Sequence, residues 1–374
     1  MTRIFHLVTG EYPPQVGGVG DYTAKLATAL AGRGCPVHVW SPAARDAAGG
    51  GVIVHGLPDR FGTASRRTLE AGFASLPCRV LIQYVPNAFG SRGANLPFCQ
   101  WVSRLRGRGV DVRVMFHEPY FYFTATRPQA NLLAIAQRAM AALLLRGGTL
   151  AYVSTASWIP YLRPYAPSST SWTVLPIPAT ADGDAPADAI ERWRQTVRGP
   201  MLVGHFGTYG DHVVRELEPA LTSLLSAEAR VRALLVGRNS DGFADRLAHR
   251  RPDLNGRVHA AGALPEPDVV AALKACAVLV QPYPDGVTTR RTSVMAGLAA
   301  GVATVTTAGR LTEDVWGETG AAALAPASDT RAIRDAVLGL LDDEPRRQRQ
   351  AAAGRRVYDE RFAIDRSVDL LLGA

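Results

Sequence analysis

The 374 residues exceed one ordinary core and fit two domains of roughly 150–200 residues each. With 47% hydrophobic and 20% charged residues the chain can bury sizeable cores, which excludes a disordered protein, and no apolar run reaches the ~18–20 residues of a membrane-spanning helix. The net charge of +8 attracts anionic substrates or an anionic membrane surface, but the arginines are scattered, without an RNA-binding aromatic signature or a basic helical arm, so nucleic acid is not the expected partner.

The opening residues 1–10 are apolar too briefly for a signal peptide and run into Pro13-Pro14. A cytoplasmic protein is expected, with peripheral contact at the inner face of the cell membrane allowed for. Cys35, Cys78, Cys99 and Cys276 lie far apart beside apolar sequence, with no Cys-x-x-Cys or Cys/His cluster; reduced, mostly buried thiols are expected, and no zinc.

Strand-like runs alternate with helical patterns throughout, the signature of parallel sheets covered by helices on both faces. Residues 4–8 read as a strand, followed by the loop Glu11-Tyr-Pro-Pro-Gln-Val-Gly-Gly-Val-Gly20. A helix follows, with Tyr22, Leu26 and Leu30 four apart and Gly32 and Gly34 as stop signals. Further strands are predicted at 37–40, 52–55, 80–84 and 110–116, the last ending at His117-Glu118. A helix over 131–146 leads to a strand at 150–153. Residues 179–192, rich in Ala, Asp and Pro, read as the crossing between domains, which places the domains at 1–180 and 181–374. The second series has strands at 201–206, 233–236, 257–260, 278–281 and 303–306. It ends near a helix signalled by Ile333, Val337 and Leu341. The expected fold class is α/β: two doubly wound Rossmann-like domains facing each other across a cleft, the last helix allowed for as packing back on the first. Ligands in such sheets bind beyond the carboxyl ends of the strands.

Three loops there carry chemistry. Gly17-Gly-Val-Gly20 lets backbone approach a ligand, and the helix behind it favours an anion. It is neither Gly-x-Gly-x-x-Gly nor a Gly-Lys-Ser/Thr loop, so a dinucleotide fold and a Walker-type ATPase are poorly supported. At His117-Glu118 a histidine stands where it can bond a sugar hydroxyl or hold a developing charge. The richest segment is Gln281-Pro-Tyr-Pro-Asp-Gly-Val-Thr-Thr-Arg-Arg-Thr-Ser293, continuing to Thr307. Asp285 can accept from a polyol, and Gly286 permits close approach. Arg290 and Arg291 precede a helix whose free N–H groups face an incoming anion. Carboxylate, guanidinium and helix N-terminus together suit a sugar joined to a diphosphate.

These residues resemble the GT-B glycosyltransferases, specifically the family 4 group of retaining enzymes with nucleotide-sugar donors. Glu11-Tyr-Pro-Pro with the glycine loop is similar to that family's opening; Leu235-Val-Gly-Arg238 and Gly262-Ala-Leu-Pro-Glu266 resemble its nucleotide-side turns; residues 281–307 match its donor segment. The family's two Glu separated by seven residues are here Asp285 and Ser293, a shorter carboxylate and a lone hydroxyl. Its Arg and Lys after the first strand of the second domain have no counterpart in Gly207-Thr-Tyr-Gly-Asp-His212, so Arg290 and Arg291 are expected to supply that charge.

The resemblance implies a hexose transferred with retention from a nucleotide-diphosphate sugar to an acceptor hydroxyl, with neither metal nor resident cofactor. It implies His117, Asp285 and Arg291 as catalytic. It implies Gly17, Gly18, Gly207, Thr208, Arg238, Leu264, Gly286, Arg290 and Ser293 as donor-binding. The acceptor, a small molecule, saccharide or lipid-linked compound, is assigned to the first domain at Tyr84, Glu118 and Tyr120. Phe89 and Trp101 add to that aromatic side, with packing in the core or a lid as the other reading of most of these rings, and a membrane-facing role is allowed for at Phe121 and Phe123 beside Arg127. A non-catalytic GT-B partner protein and a nucleotide-sugar epimerase are the alternatives. Oligomeric state is left open.

Overall fold

The computed structural model describes residues 3–15, 17–74, 77–90, 93–125, 128–146, 148–199 and 201–373; Arg127 lies outside them. The chain forms two compact units, Met1–Pro176 with Ile364–Ala374, and Ile177–Ala363.

The first unit runs β1 (Ile4–Thr9), α1 (Gly18–Gly32), β2 (Val37–Ser41), β3 (Ala47–Gly49), β4 (Val52–Gly56), α2 (Thr63–Gly72) and β5 (Cys78–Tyr84). It continues with α3 (Leu96–Arg106), β6 (Asp111–Phe116), α4 (Pro128–Leu145), β7 (Leu150–Val153), α5 (Ile159–Leu162) and β8 (Ser171–Val174). The sheet order is β3-β4-β2-β1-β5-β6-β7-β8, parallel except for the antiparallel β3–β4 pair. Strand order reverses between β1 and β5. Helices on both faces bury β5 at every position, so it reads as a near-continuous apolar run, Cys-Arg-Val-Leu-Ile-Gln-Tyr.

In the second unit come α6 (Ala187–Val197), β9 (Met201–Phe206), α7 (Asp211–Ala227), β10 (Val231–Val236), α8 (Ser240–Arg250), β11 (Val258–Gly262) and α9 (Glu266–Ala275). Next are β12 (Val278–Gln281), α10 (Thr292–Ala299), β13 (Ala303–Ala308), α11 (Val315–Thr319), β14 (Ala323–Pro326), α12 (Thr330–Asp342) and α13 (Glu344–Val357). The last helix, α14 (Ile364–Gly373), belongs to the first unit, where it packs on α1. The second sheet, β11-β10-β9-β12-β13-β14, is wholly parallel. Its order reverses between β9 and β12, so the loops after those strands flank the crevice where ligands of such sheets bind.

Strands β3, β8 and β14 were not expected from the sequence, and the Ala/Asp/Pro-rich segment is only partly a connection, since α6 begins at Ala187. All four cysteines are buried and unbridged.

Candidate active site

The second unit's switch point is built around the strap between β12 and α10. Tyr283 N–H donates to Thr307 Oγ1 at 2.7 Å, and that hydroxyl donates back to the Tyr283 carbonyl at 2.6 Å. Val287 N–H donates to the Thr307 carbonyl at 2.8 Å, so the strap is laced to the end of β13. Farther on, the Glu313 carboxylate accepts from Thr289 N–H and, at 2.7 Å, from the Thr289 hydroxyl. These bonds fix the approach to Arg290 and Arg291. Arg291 is the N-cap residue of α10, and no side chain caps that helix. Its guanidinium lies over the Tyr283 ring, 4.4 Å from the centroid.

The loop after β9 faces the same charge. Gly210 is the N-cap of α7, again without a side-chain cap, and His212 stands in its first turn. Burial, and then the positive charges of Arg291, Arg215 and Arg290, push the His212 imidazole below its ordinary value. Arginines from the β12 loop thus act on the β9 loop, which has no Arg or Lys of its own. Two uncapped helix N-termini with two arginines and a histidine make a region suited to a multiply charged anion.

The other residues expected at the donor lie on these loops and on the turns beside them. Gly286 holds a φ of +87°, but the space beside it is filled by the next loop, with Gly309 Cα 2.8 Å from where a Cβ would lie. Its left-handed backbone lets the two loops pack together. Asp285 lies four residues beyond β12, exposed, and pairs with Arg310 at 3.3 Å. The Ser293 hydroxyl is engaged with Tyr283 OH at 2.7 Å. Gly207 is tied into the sheet end through its N–H, which donates to the Val236 carbonyl at 3.0 Å. Thr208 and Arg238 are exposed on neighbouring loops, and the Thr208 carbonyl accepts from Asn239. Leu264 packs against the core.

In the first unit, the glycine loop has a different occupant from the one expected. Glu11 Oε1 accepts from Val19 N–H at 2.8 Å and Gly20 N–H at 3.1 Å, placing the protein's own carboxylate at the N-terminus of α1. A Cβ at Gly17 would collide with that carboxyl group; beside Gly18 there is open space. His117 Nε2 is 2.7 Å from Gln83 Oε1, its carbonyl accepts from Trp158 Nε1 and the Ser154 hydroxyl, and its ring meets Tyr22 edge-on. It is a buried, positioned histidine at the end of β6, and Glu118 beside it is half-buried.

The aromatic acceptor side is largely core. Tyr84 is fully buried between Phe89 and Phe116, and Trp101 is buried with its indole N–H on Glu70. Tyr120 is buried too, its hydroxyl donating to the Tyr161 carbonyl at 2.6 Å. None of these rings offers a stacking face. The sequence reading missed a cavity of about 300 Å³ at this unit's own switch point, lined by Glu11, Gln15, Arg60, Val85 and Asn87 among others. A larger cavity, about 420 Å³, opens among Arg194, Leu202, Lys274 and Arg347 at the amino ends of β9, β12 and β13, remote from these loops. Among the described residues no group of three or more His, Cys, Asp or Glu could hold a metal ion.

Both sheets, their helices and their switch points are those of one architecture. The fold is GT-B. Residues 201–343, within the second unit, match the family model described as glycosyl transferases group 1. No curated protein matches the sequence. Among solved structures, the GT-B chain is similar to sucrose-phosphate synthase from Thermosynechococcus elongatus, with a TM-score of 0.72 and 15% identity over 99% of this chain and 97% of that one. HepE from Anabaena in complex with UDP-glucose is similar at a TM-score of 0.68 and 16% identity, covering 100% of both chains. A glycosyltransferase from Rickettsia africae is similar at a TM-score of 0.73 and 11% identity, over 100% of this chain and 97% of that one.

Proposed function

We propose that the protein is a glycosyltransferase that moves a hexose from a nucleotide-diphosphate sugar to an acceptor hydroxyl, with retention and without a metal ion. The observation that carries this reading is the pair of uncapped helix N-termini at the β9/β12 switch point, α7 at Gly210 and α10 at Arg291, with Arg290 and Arg291 in the strap that leads into α10. The match of residues 201–343 to the glycosyltransferase model supports it, as does the UDP-glucose named for the similar HepE structure.

In this reading the bond from the anomeric carbon to the diphosphate oxygen breaks, and its electron pair leaves with the diphosphate. The acceptor oxygen bonds to that carbon, and its proton passes to the departing phosphate. The task is to stabilise charge developing on the leaving group and on an oxocarbenium-like sugar, which fixed cations and helix N-termini perform without reorganising. Arg290 and Arg291 meet the diphosphate, Asp285 meets sugar hydroxyls, and His117 serves on the first unit. The acceptor is assigned to the first unit's 300 Å³ cavity rather than to the buried aromatics.

A panel of UDP, GDP, ADP and TDP sugars should contain one that raises the melting temperature, since a ligand of the folded state adds to apparent stability. Arg291→Ala should weaken binding of that donor about 10–100-fold, the loss of a charge-assisted bond worth roughly 1.5–3 kcal/mol. A panel without effect, or an alanine variant that binds as tightly as the parent, overturns the reading. Product anomeric configuration by NMR tests retention, and activity in a chelator tests metal independence. The bond between Ser293 and Tyr283 favours one second reading, a protein that binds the donor without transferring it. Binding without turnover across a range of acceptors would select it.

A further inference from the structure

The protein's positive charge is not shared between its units. The first unit carries 18 Lys and Arg against 9 Asp and Glu, a net +9; the second carries 23 against 24, a net −1. From Glu118 to the end of its first segment at Pro176 the first unit has no further acidic residue, and that interval contains Arg127, Arg138, Arg146 and Arg163.

That same interval bears an apolar surface. Phe123 is 57% exposed, Leu132 72% and Ile135 55%, with Phe121 and Tyr122 also exposed. The surface is built, not frayed. Thr124 and Asn131 exchange two hydrogen bonds, at 2.9 and 3.0 Å, and Phe121 N–H donates to Gln137 Oε1 at 2.8 Å. Arg138 Nη1 donates to the Phe121 carbonyl at 2.9 Å. The guanidinium lies 4.0 Å from the ring centroids of both Tyr120 and Phe123. The aromatic loop is therefore clamped along α4 from Asn131 to Arg138, and Leu132 and Ile135, three apart, share that helix's outward side.

We propose that this face of the first unit, the 121–123 loop with the Leu132/Ile135 side of α4, docks on an anionic lipid bilayer. Exposed Phe, Leu and Ile cost free energy in water and gain it on entering the acyl boundary, Tyr suits the headgroup level, and a unit of net charge +9, with Arg138 at the aromatic loop itself, is drawn to anionic headgroups. A nucleic acid or an acidic protein would satisfy the charge but leave Leu132 and Ile135 wet. The proposal does not depend on the transfer reaction.

The test is co-sedimentation of the full chain with vesicles of phosphatidylcholine alone and of phosphatidylcholine mixed with phosphatidylglycerol. Binding is expected to the mixed vesicles only, to weaken as salt is raised, and to fall at least about tenfold in the triple variant Phe123→Ser, Leu132→Ser, Ile135→Ser. Circular dichroism and the melting temperature establish that the variant is folded; if it is not, Leu132→Ser and Ile135→Ser singly, both at positions more than half exposed, carry the test. No binding to the anionic vesicles, or equal binding by folded parent and variant, overturns the proposal. So does a parent that is dimeric and ignores vesicles while the variant is monomeric, which would assign the face to a second copy of the chain.

Discussion

His6 sits in the first sheet against His38, its partner in register on β2, their rings stacked 5.0 Å apart. His38 Nδ1 lies 2.9 Å from His55 Nε2, and Trp40 donates its indole N–H to His6 Nδ1 at 3.1 Å. That bond requires an unprotonated Nδ1. Burial, then the neighbouring His38 and His55, lower the His6 pKa to about 3, and burial lowers His38 and His55 as well; Asp46 beside His55 acts in the opposite sense. The unfolded chain, with histidines near 6.5, takes up protons first as the pH falls. Stability is therefore complete above about pH 6.5 and is lost progressively toward pH 3, with a slope of up to about 1.4 kcal/mol per pH unit for each such histidine. Buried His205, lowered to about 3, adds the same trend in the second unit. Urea midpoints measured from pH 7 to 4 should fall steadily, and His6→Gln, which keeps an acceptor for Trp40 without titrating, should flatten the first unit's profile. Parallel profiles for parent and variant would remove His6 from the account.

At the scale of elements, α1 starts on a glycine N-cap that has no side chain to offer, and Glu11 reaches back to cap it from the end of β1. Glu11→Gln should lower stability by about 0.5–2 kcal/mol, read from denaturant unfolding, because a neutral amide loses the interaction with the helix dipole. A variant as stable as the parent would make the contact incidental. Elements with strong local signals were legible: the buried run of β5, the four-residue spacing in α1, and the strand, loop and helix around Arg290 and Arg291. Strands β8 and β14 were not, because Ser171-Trp-Thr-Val and Ala323-Leu-Ala-Pro are edge segments of four residues each, too short to carry a strand signal. The site divided the same way. Arg290, Arg291 and Ser293 stand in one local motif, whereas Glu313 grips Thr289 from 24 residues away and His212 feels arginines from a distant loop. Such pairings arise only when the sheet assembles. Tyr84 misled for the converse reason, since a tyrosine near a strand end looks the same in sequence whether its ring is buried or exposed.

The molecule as a whole is two units, but the chain enters the first, builds the second, and returns. Arg79 on β5 is buried, its Nε 2.9 Å from Asp111, and its Nη1 donates to the Leu371 carbonyl of α14; Ser367 donates to the Pro176 carbonyl at 2.9 Å, and Arg33 pairs with Asp365 and Asp369. Removing residues 364–374 should therefore destabilise the first unit and spare the second, which hydrogen exchange resolved by unit will read. Equal protection of the first unit with and without those residues would show α14 to be ornamental. The order of synthesis gives this return a further meaning. At about 5–20 residues per second, a ribosome needs roughly 10–40 s after Pro176 to reach α14. The second unit has all its own residues before then, while the first waits with Arg79 lacking its carbonyl, so the half of the protein made earliest is the half completed last.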